Sequence, residues 1–508
     1  MKNLIVAVFL FLFHAVLFAQ QNQISIDADQ SLGKINPLVY GQFIEYIGRC
    51  IDGGIYEENS PLSDHRGFRK DVLTKAKELH PTTLRFPGGT VVKTFHWEDG
   101  VGPKEQRKAK KNLIWGGIDS YQFGTCEFIE YCKELQAEPC LVVNLSTGTA
   151  EEAANWVEYC NGTGNTYYAN LRRAHGYAEP FQVKYWALGN EEGAEPDAGR
   201  HQDPNDYVKD VWHFIKLMKL TDPSIKLIAN GEAMNEHWNK TVLDGIGNAV
   251  DYLSYHYYVN TSPNKPYSIF EKIATAESEI EHLGRFIRKN YSDTVQQWSE
   301  WYRFPHREGP IKLSFDEWGI WEKQDPPYGT TNQYTWRHAL ATASFLQVIQ
   351  RQAQTIGIAN WAQMVNVLAP IMTDKEGSVK QTIFYPLQAY RKYALGEALA
   401  AESQAPILTD GIAALDLSAT IDRERKMLTL FVVNRSSQEI QAPLLLKNAT
   451  LKSITSKICY SSSSLEATNT LAAKDTEVVR ISEDKHIQQK KPLQFAKESI
   501  TIYNFTLQ

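Results

Sequence analysis

Two glutamates close apolar runs of the sequence in a way that could do chemistry together. Glu191 follows Trp186-Ala187-Leu188-Gly189-Asn190, and Glu317 follows Phe315-Asp316. If both runs are strands whose ends meet, each delivers a carboxylate to the same place. Two facing carboxylates are the minimum equipment for cleaving a glycosidic bond: one protonates the leaving oxygen, and the other attacks the anomeric carbon or activates water. Asn190 can orient a hydroxyl beside Glu191, and Trp318 can form an apolar wall beside Glu317. Acidic side chains are mostly solvated surface groups. With 59 of them in the chain, this pair gains meaning only from the elements that position it.

Those elements alternate. From about residue 37 to 390, apolar runs at 38–45, 83–86, 140–144, 183–188, 226–230, 252–255, 312–316 and 356–361 are separated by amphipathic stretches, for instance 150–160, 269–289 and 336–353. Eight strand-like runs with intervening helices predict an α/β fold, a (β/α)8 TIM barrel, whose active sites form at the C-terminal ends of the strands. A doubly wound open sheet is the competing layout; it would be favoured by a G-x-G-x-x-G turn, and none occurs. After about residue 395 the helical periodicity fades. Runs at 413–419, 427–434, 443–447, 477–482 and 499–507 read as strands of a C-terminal β-sandwich. The segment 23–27, with Ile24 and Ile26 alternating, could add one more strand. The expected organisation is a leader at 1–19, a joining strand within 20–36, a barrel over 37–390 and a sandwich over 391–508.

The chain of 508 residues is too long for one core. Its 53 basic against 59 acidic residues give a net charge of −6, without the basic footprint that nucleic-acid binding needs. Twelve Trp and 25 Tyr suit amphipathic ligands such as sugars. Lys2, an apolar run at 4–13 and the small Ala19 form a signal-peptide pattern. No second apolar stretch of membrane-spanning length follows, so the mature protein is expected to be soluble and exported, periplasmic or extracellular. Six cysteines include no C-x-x-C pair, and no H-E-x-x-H occurs; neither a metal site nor a cofactor is expected. Most of the thiols read as buried apolar groups, and one or two disulfides stay open.

The strand ends carry a resemblance. Gly41-Gln42-Phe43-Ile44-Glu45-Tyr46, Leu84-Arg85-Phe86-Pro87-Gly88-Gly89, His96-Trp97-Glu98-Asp99-Gly100, Trp186-Ala187-Leu188-Gly189-Asn190-Glu191, Ser254-Tyr255-His256-Tyr257-Tyr258, Phe315-Asp316-Glu317-Trp318 and Ala362-Gln363-Met364-Val365-Asn366 together resemble the α-L-arabinofuranosidases of glycoside hydrolase family 51. The likeness runs from about residue 24 to the C-terminus. It implies a retaining double displacement, with Glu191 as general acid/base and Glu317 as nucleophile. Glu191 must then start protonated, with the charge of Glu317 as the most plausible cause. Glu192 is the rival for the acid role; the Gly-Asn-Glu register favours Glu191.

The resemblance also implies that Glu45 binds sugar hydroxyls, with a salt bridge to Arg49 or Arg85 as the alternative, and that Arg85 orients the carboxylates. Asn190 would hold the sugar O2, and Gln363 another hydroxyl. Tyr258, or else Tyr257, would position the nucleophile. His256 is either a substrate contact or a structural histidine, and Trp97 and Trp318 are candidate subsite walls. The chain departs from the family where Thr90 stands after Gly88-Gly89, where Gly319 follows Glu-Trp, and at Ser146. None of these removes a carboxylate.

The expectation is a secreted exo-α-L-arabinofuranosidase acting on arabinan, arabinoxylan or their oligosaccharides, with hexamers frequent in the family. Another retaining barrel glycosidase, such as a β-xylosidase or an endo-β-glucanase, shares the two-carboxylate device. A non-catalytic carbohydrate-binding protein is the alternative of another class.

Overall fold

A computed structural model describes residues 22–194, 201–292, 307, 309–322, 333–394, 396–408, 411–487 and 491–508. The leader expected at 1–19 lies outside the described residues. Eight parallel strands close in chain order: Gly41–Phe43, Thr83–Phe86, Glu138–Val143, Tyr185–Leu188, Lys226–Ala229, Tyr252–Val259, Lys312–Ile320 and Ile356–Ala362. The eighth pairs with the first, Asn360 lying opposite Gly41, so the sheet has no open edge and a doubly wound layout is excluded.

These strands are apolar runs because both of their faces are covered. Thr83–Phe86, Tyr185–Leu188 and Ile356–Ala362 are buried throughout, between side chains filling the barrel and helices packed outside it. The helices start at local signals. Thr149 accepts a hydrogen bond from the Glu152 amide at the head of Ala150–Asn161. Asp203 caps Pro204–Thr221, with proline in the first turn, where a missing N–H costs nothing.

The second layer system is antiparallel but for one edge strand, Leu444–Lys447, which runs parallel to Ile24–Lys34. One sheet runs Leu444–Lys447, Ile24–Lys34, Glu397–Ser403, Leu415–Asp422, Met427–Asn434, Ser499–Leu507, Leu451–Ser461 and Arg480–Asp484. Ile24 and Ile26, fully buried, meet Leu417, Leu430, Phe495 and Phe505 in a core of its own. The short pair Ile440–Ala442 and Leu493–Phe495 closes that core, which makes a β-sandwich.

Helix Trp336–Arg351 is buried at nearly every position because it lies between barrel and sandwich, the one environment that tolerates an apolar surface all round. At its end Arg351 pairs with Glu277 of the preceding helix and, at 3.0 Å, with Asp416 of the sandwich. Arg435 also pairs with Asp416 and lies over the Phe270 ring. Burial favours a neutral Asp416, but Arg435 and Arg351 outweigh it and hold the carboxyl below its ordinary value. All six cysteines are buried and unpaired. Burial pushes the thiols of Cys50 and Cys140 up to about 12, so both behave as small apolar groups.

Candidate active site

The C-terminal strand ends deliver one polar group after another to the barrel mouth. In the sixth strand the period of two turns Ser254, His256 and Tyr258 inward, while Tyr255 and Tyr257 stack on each other with rings 3° from parallel. The seventh strand is irregular. Ser314 pairs with Ser254 but Glu317 with His256, three residues on one side against two on the other. This bulge lets the neighbours Asp316 and Glu317 both reach the interior, which strict alternation forbids.

Glu317 is held at both oxygens. Tyr258 donates to Oε1 at 2.6 Å, and Arg85 donates to Oε2 at 3.0 Å. The Arg85 guanidinium is buried, donates to Asn190 Oδ1 at 2.6 Å, lies 3.3 Å from Asp316 and covers the Phe43 ring at 4.6 Å. Burial works against its charge, but Asp316 and Glu317 more than restore it. The alternative of an ion pair between Arg85 and Glu45 is not formed; Arg85 instead serves the seventh and fourth strands. Asn190, with its Oδ1 used, has a buried Nδ2 without a protein acceptor.

After the fourth strand the chain turns sharply. Gly189 has φ +84° and Glu191 φ +45°, a left-handed conformation that costs a non-glycine residue about 1–3 kcal/mol. The turn separates two adjacent carboxylates. Glu192 is fully buried, pairs with His201 at 3.0 Å, and its amide donates to Asn230. Glu191 keeps part of its side chain exposed and points to the mouth.

His256 stands between the two candidate catalytic glutamates. Its Nδ1 is 2.9 Å from Glu191 Oε1 and 3.5 Å from Glu317 Oε2, and its Nε2 is 3.7 Å from Asp316. Burial disfavours the charged ring, but Glu317, Asp316 and Glu191 outweigh it and hold its pKa well above the ordinary value. One oxygen of Glu191, one ring nitrogen of His256 and one oxygen of Glu317 lie within 4.8 Å of one another. Among the described residues this is the one trio close enough to share a cation; the Arg85 guanidinium beside Glu317 opposes that use.

Across the mouth, Glu45 accepts from Trp115 Nε1 at 2.9 Å, from the Val91 amide at 3.4 Å and from Gln363 Nε2 at 3.0 Å. Burial first, then the charge of Glu317, pushes its pKa up to about 8. Gln363 offers Nε2 to an ionised Glu45; turned over, its unpartnered Oε1 would accept from a protonated one. Gly89 lies beside both carboxylates: a Cβ there would come within 3.3 Å of Glu317 and 3.5 Å of Glu45. Thr90, next along, is buried and opens the short 3-10 helix Thr90–Thr94.

Two expected subsite walls are corrected. Trp97 is 1 % exposed, stacks on Trp156 and donates to the Glu152 carbonyl; it is packing behind the mouth. Trp318 follows an inward Glu317 and so points outward, packed edge-on against Trp361 and close to Phe345. The sequence reading also missed groups. Trp115 belongs to a loop between the short strands Lys110–Lys111 and Ile118–Asp119, far in sequence from any barrel strand. Glu232, three residues past the fifth strand, accepts from the Gly193 amide at 3.3 Å; its place at a strand end was the available signal. Asp316 was hidden by the bulge.

Carboxylates this close at the mouth of a closed barrel define a glycoside hydrolase. Models of the alpha-L-arabinofuranosidase 1 domain and the alpha-L-arabinofuranosidase C-terminal domain match residues 75–277 and 316–499. The chain belongs to the α-L-arabinofuranosidases of glycoside hydrolase family 51. It is 40% identical over 387 residues to the probable alpha-L-arabinofuranosidase C of Aspergillus clavatus, covering 73% of this chain and 74% of that one. An intracellular exo-alpha-(1->5)-L-arabinofuranosidase of Acetivibrio thermocellus is 33% identical over 443 residues, covering 82% and 86%. The solved family 51 arabinofuranosidase of Thermotoga petrophila superposes with a TM-score of 0.83 at 31% identity, covering 95% of this chain and 99% of that one.

Proposed function

We propose that this protein is an exported, exo-acting α-L-arabinofuranosidase that removes terminal L-arabinofuranosyl groups from arabinan, arabinoxylan or their oligosaccharides with retention of configuration. The reading rests on the Glu191 and Glu317 oxygens lying within 4.8 Å of each other. Retaining pairs stand about 5–5.5 Å apart, whereas inverting pairs leave room for a water at about 6.5–9.5 Å.

Glu317 attacks the anomeric carbon while Glu191 gives its proton to the departing oxygen. The sugar is then an ester of Glu317, and Glu191, now ionised, takes a proton from the attacking water. That water releases arabinose and returns Glu317 to its carboxylate. Arg85 and Tyr258 hold the nucleophile in line. Asn190 Nδ2 is free to donate to the O2 hydroxyl, and Glu45 and Gln363 face the other hydroxyls. The exo-(1->5) activity named for the Acetivibrio relative supports terminal removal from arabinan. Lys2, the apolar run at 4–13 and Ala19 support export; a secreted product whose N-terminus begins near residue 20 would agree, and retention of Met1 in cytoplasmic protein would refute it.

The mechanism is tested by following an aryl α-L-arabinofuranoside by NMR. The first product is expected to be α-arabinofuranose, and β-product overturns the double displacement. Glu317→Ala should abolish turnover while leaving sugar binding. Glu191→Ala should regain turnover of an activated glycoside with azide, forming the glycosyl azide.

A further inference from the structure

Lys93 is 2 % exposed, yet no carboxylate among the described residues lies within ion-pair distance of its amine. A buried charge without a partner is costly, and packing alone does not account for it. Its Nζ donates instead to the main-chain carbonyl of Glu191, at 3.1 Å. That carbonyl belongs to the left-handed residue at φ +45°, and its other donor is the Ala194 amide at 3.3 Å.

The Lys93 backbone is itself anchored. Thr147 Oγ1 donates to the Lys93 carbonyl at 2.9 Å and accepts from Asn144 Nδ2 at 2.9 Å, tying the loop after the second strand to the end of the third. The far side of the Glu191 turn is clamped as well. Asn230 holds the Glu192 amide at 2.8 Å, and Glu232 holds the Gly193 amide at 3.3 Å. Burial raises the pKa of that same Glu232, and the His256 ring, the Gly193 amide and Lys93 oppose the shift without cancelling it. Lys93 and Asn230 thus hold opposite edges of one peptide, the Glu191 carbonyl and the Glu192 amide.

We propose that Lys93 is a positioning residue for the acid/base: by gripping the Glu191 carbonyl it fixes the left-handed peptide and thereby aims the Glu191 carboxyl at the departing glycosidic oxygen. This rests on the assignment of Glu191 as the acid. Lys93, 2 % exposed, acts through the Glu191 peptide, so in the first step its effect scales with the leaving group's need for a proton, while the second step, in which Glu191 is the base, is common to all substrates. A nitrophenolate leaves readily without a proton, whereas an alkoxide requires one.

The experiment compares 4-nitrophenyl and methyl α-L-arabinofuranosides with the wild type, Lys93→Met, Lys93→Gln and Glu191→Ala. Lys93→Met should lose kcat/KM, which reports the first chemical step, on the methyl glycoside by about 10–100-fold, part of the 10²–10⁴-fold that general acid catalysis supplies. On the nitrophenyl glycoside kcat/KM should fall no more than a few-fold, whereas kcat and KM fall together there because release of the sugar from Glu317 needs Glu191 as base. Lys93→Gln keeps a donor without the charge and should fall between wild type and Lys93→Met. Equal losses of kcat/KM on the two substrates, or none, overturn the proposal, and a misfolded variant gives equal losses. If Glu191→Ala itself shows no preference for the better leaving group, the acid assignment fails rather than the role of Lys93 alone.

Discussion

The hydroxyl of Tyr258 stands 2.6 Å from Oε1 of Glu317, on the oxygen that Arg85 leaves free. One oxygen is held by a neutral donor and the other by a cation. The grip fixes the plane of the carboxylate, and a buried nucleophile needs that because rotation away from the anomeric carbon would cost reaction geometry. The grip follows from strand alternation on one side and a bulge on the other, which turn Tyr258 and Glu317 to the same face, Glu317 level with His256 and Tyr258 one inward position further along.

Tyr258→Phe should therefore lower kcat more than it raises KM. A hydrogen bond to a charged group contributes about 1.5–3 kcal/mol, and its loss from a reacting carboxylate is expected to cost about 10–100-fold in kcat. Steady-state kinetics on an aryl arabinofuranoside checks this. A variant with wild-type kcat would reduce Tyr258 to packing.

Glu45, buried and pushed up to about 8, makes a signed prediction about stability. Between the ordinary carboxyl pKa and 8 the native state holds a proton that the unfolded chain has released, so the native state binds more protons. Stability from this group falls as pH rises through that window, by at most ~1.4 kcal/mol per pH unit, and levels off above 8. Glu45→Gln is neutral throughout and can still meet Trp115 and Gln363. Its melting temperature should match the wild type near pH 4.5 and exceed it near pH 8. A constant offset across that range would show that Glu45 is ionised in the native protein at neutral pH.

The barrel was legible because its strands are buried on both faces and so read as unbroken apolar runs; Glu191, just past the fourth, and Glu317, inside the seventh, stood out as carboxylates against that apolar background. The sandwich was less so. Leu451–Ser461 carries Lys452, Ser453, Thr455 and Lys457 on a half-exposed strand, and reads as a polar connection. Glu397–Ser403 is rich in alanine, a weak strand former. Side-chain direction was the other blind spot. Nothing in the sequence distinguishes a tryptophan packed behind the mouth, like Trp97, from one that lines it, like Trp115. Lys93 carries no signal in the sequence, since only the folded loop shows that its amine reaches the Glu191 peptide.

The two tryptophans separate by experiment. Trp97→Phe replaces a buried stacked indole with a smaller ring and removes its N–H donor, so it should lower thermal stability while leaving KM near wild type. Trp115→Phe removes a hydrogen bond to a sugar-facing carboxyl, worth about 1–3 kcal/mol when buried, and should raise KM with little change in melting. Melting curves and kinetics on the same preparations decide it. A large KM effect from Trp97→Phe would return that residue to the sugar site.

Asp416 tests how the sandwich is docked. It neutralises two guanidiniums from opposite sides of the interface, Arg351 from the barrel helix and Arg435 from the sandwich. Arg351 keeps Glu277 if Asp416 is neutralised, but Arg435 is left with the Ser344 hydroxyl and the Phe270 face. Breaking a buried pair on one side costs about 3–5 kcal/mol, because the remaining charge stays desolvated. Asp416→Asn should then shorten the half-life of activity at elevated temperature, the relevant measure for a large two-domain chain. At 25 °C its kcat and KM should stay at wild-type values, since none of these groups touches the barrel mouth. Replacing the pair together, Asp416→Leu with Arg435→Met, removes both charges and should recover much of the loss. An unchanged half-life in Asp416→Asn would mean that packing of Tyr390 on Phe431 and its neighbours holds the domains together without the ionic bridge.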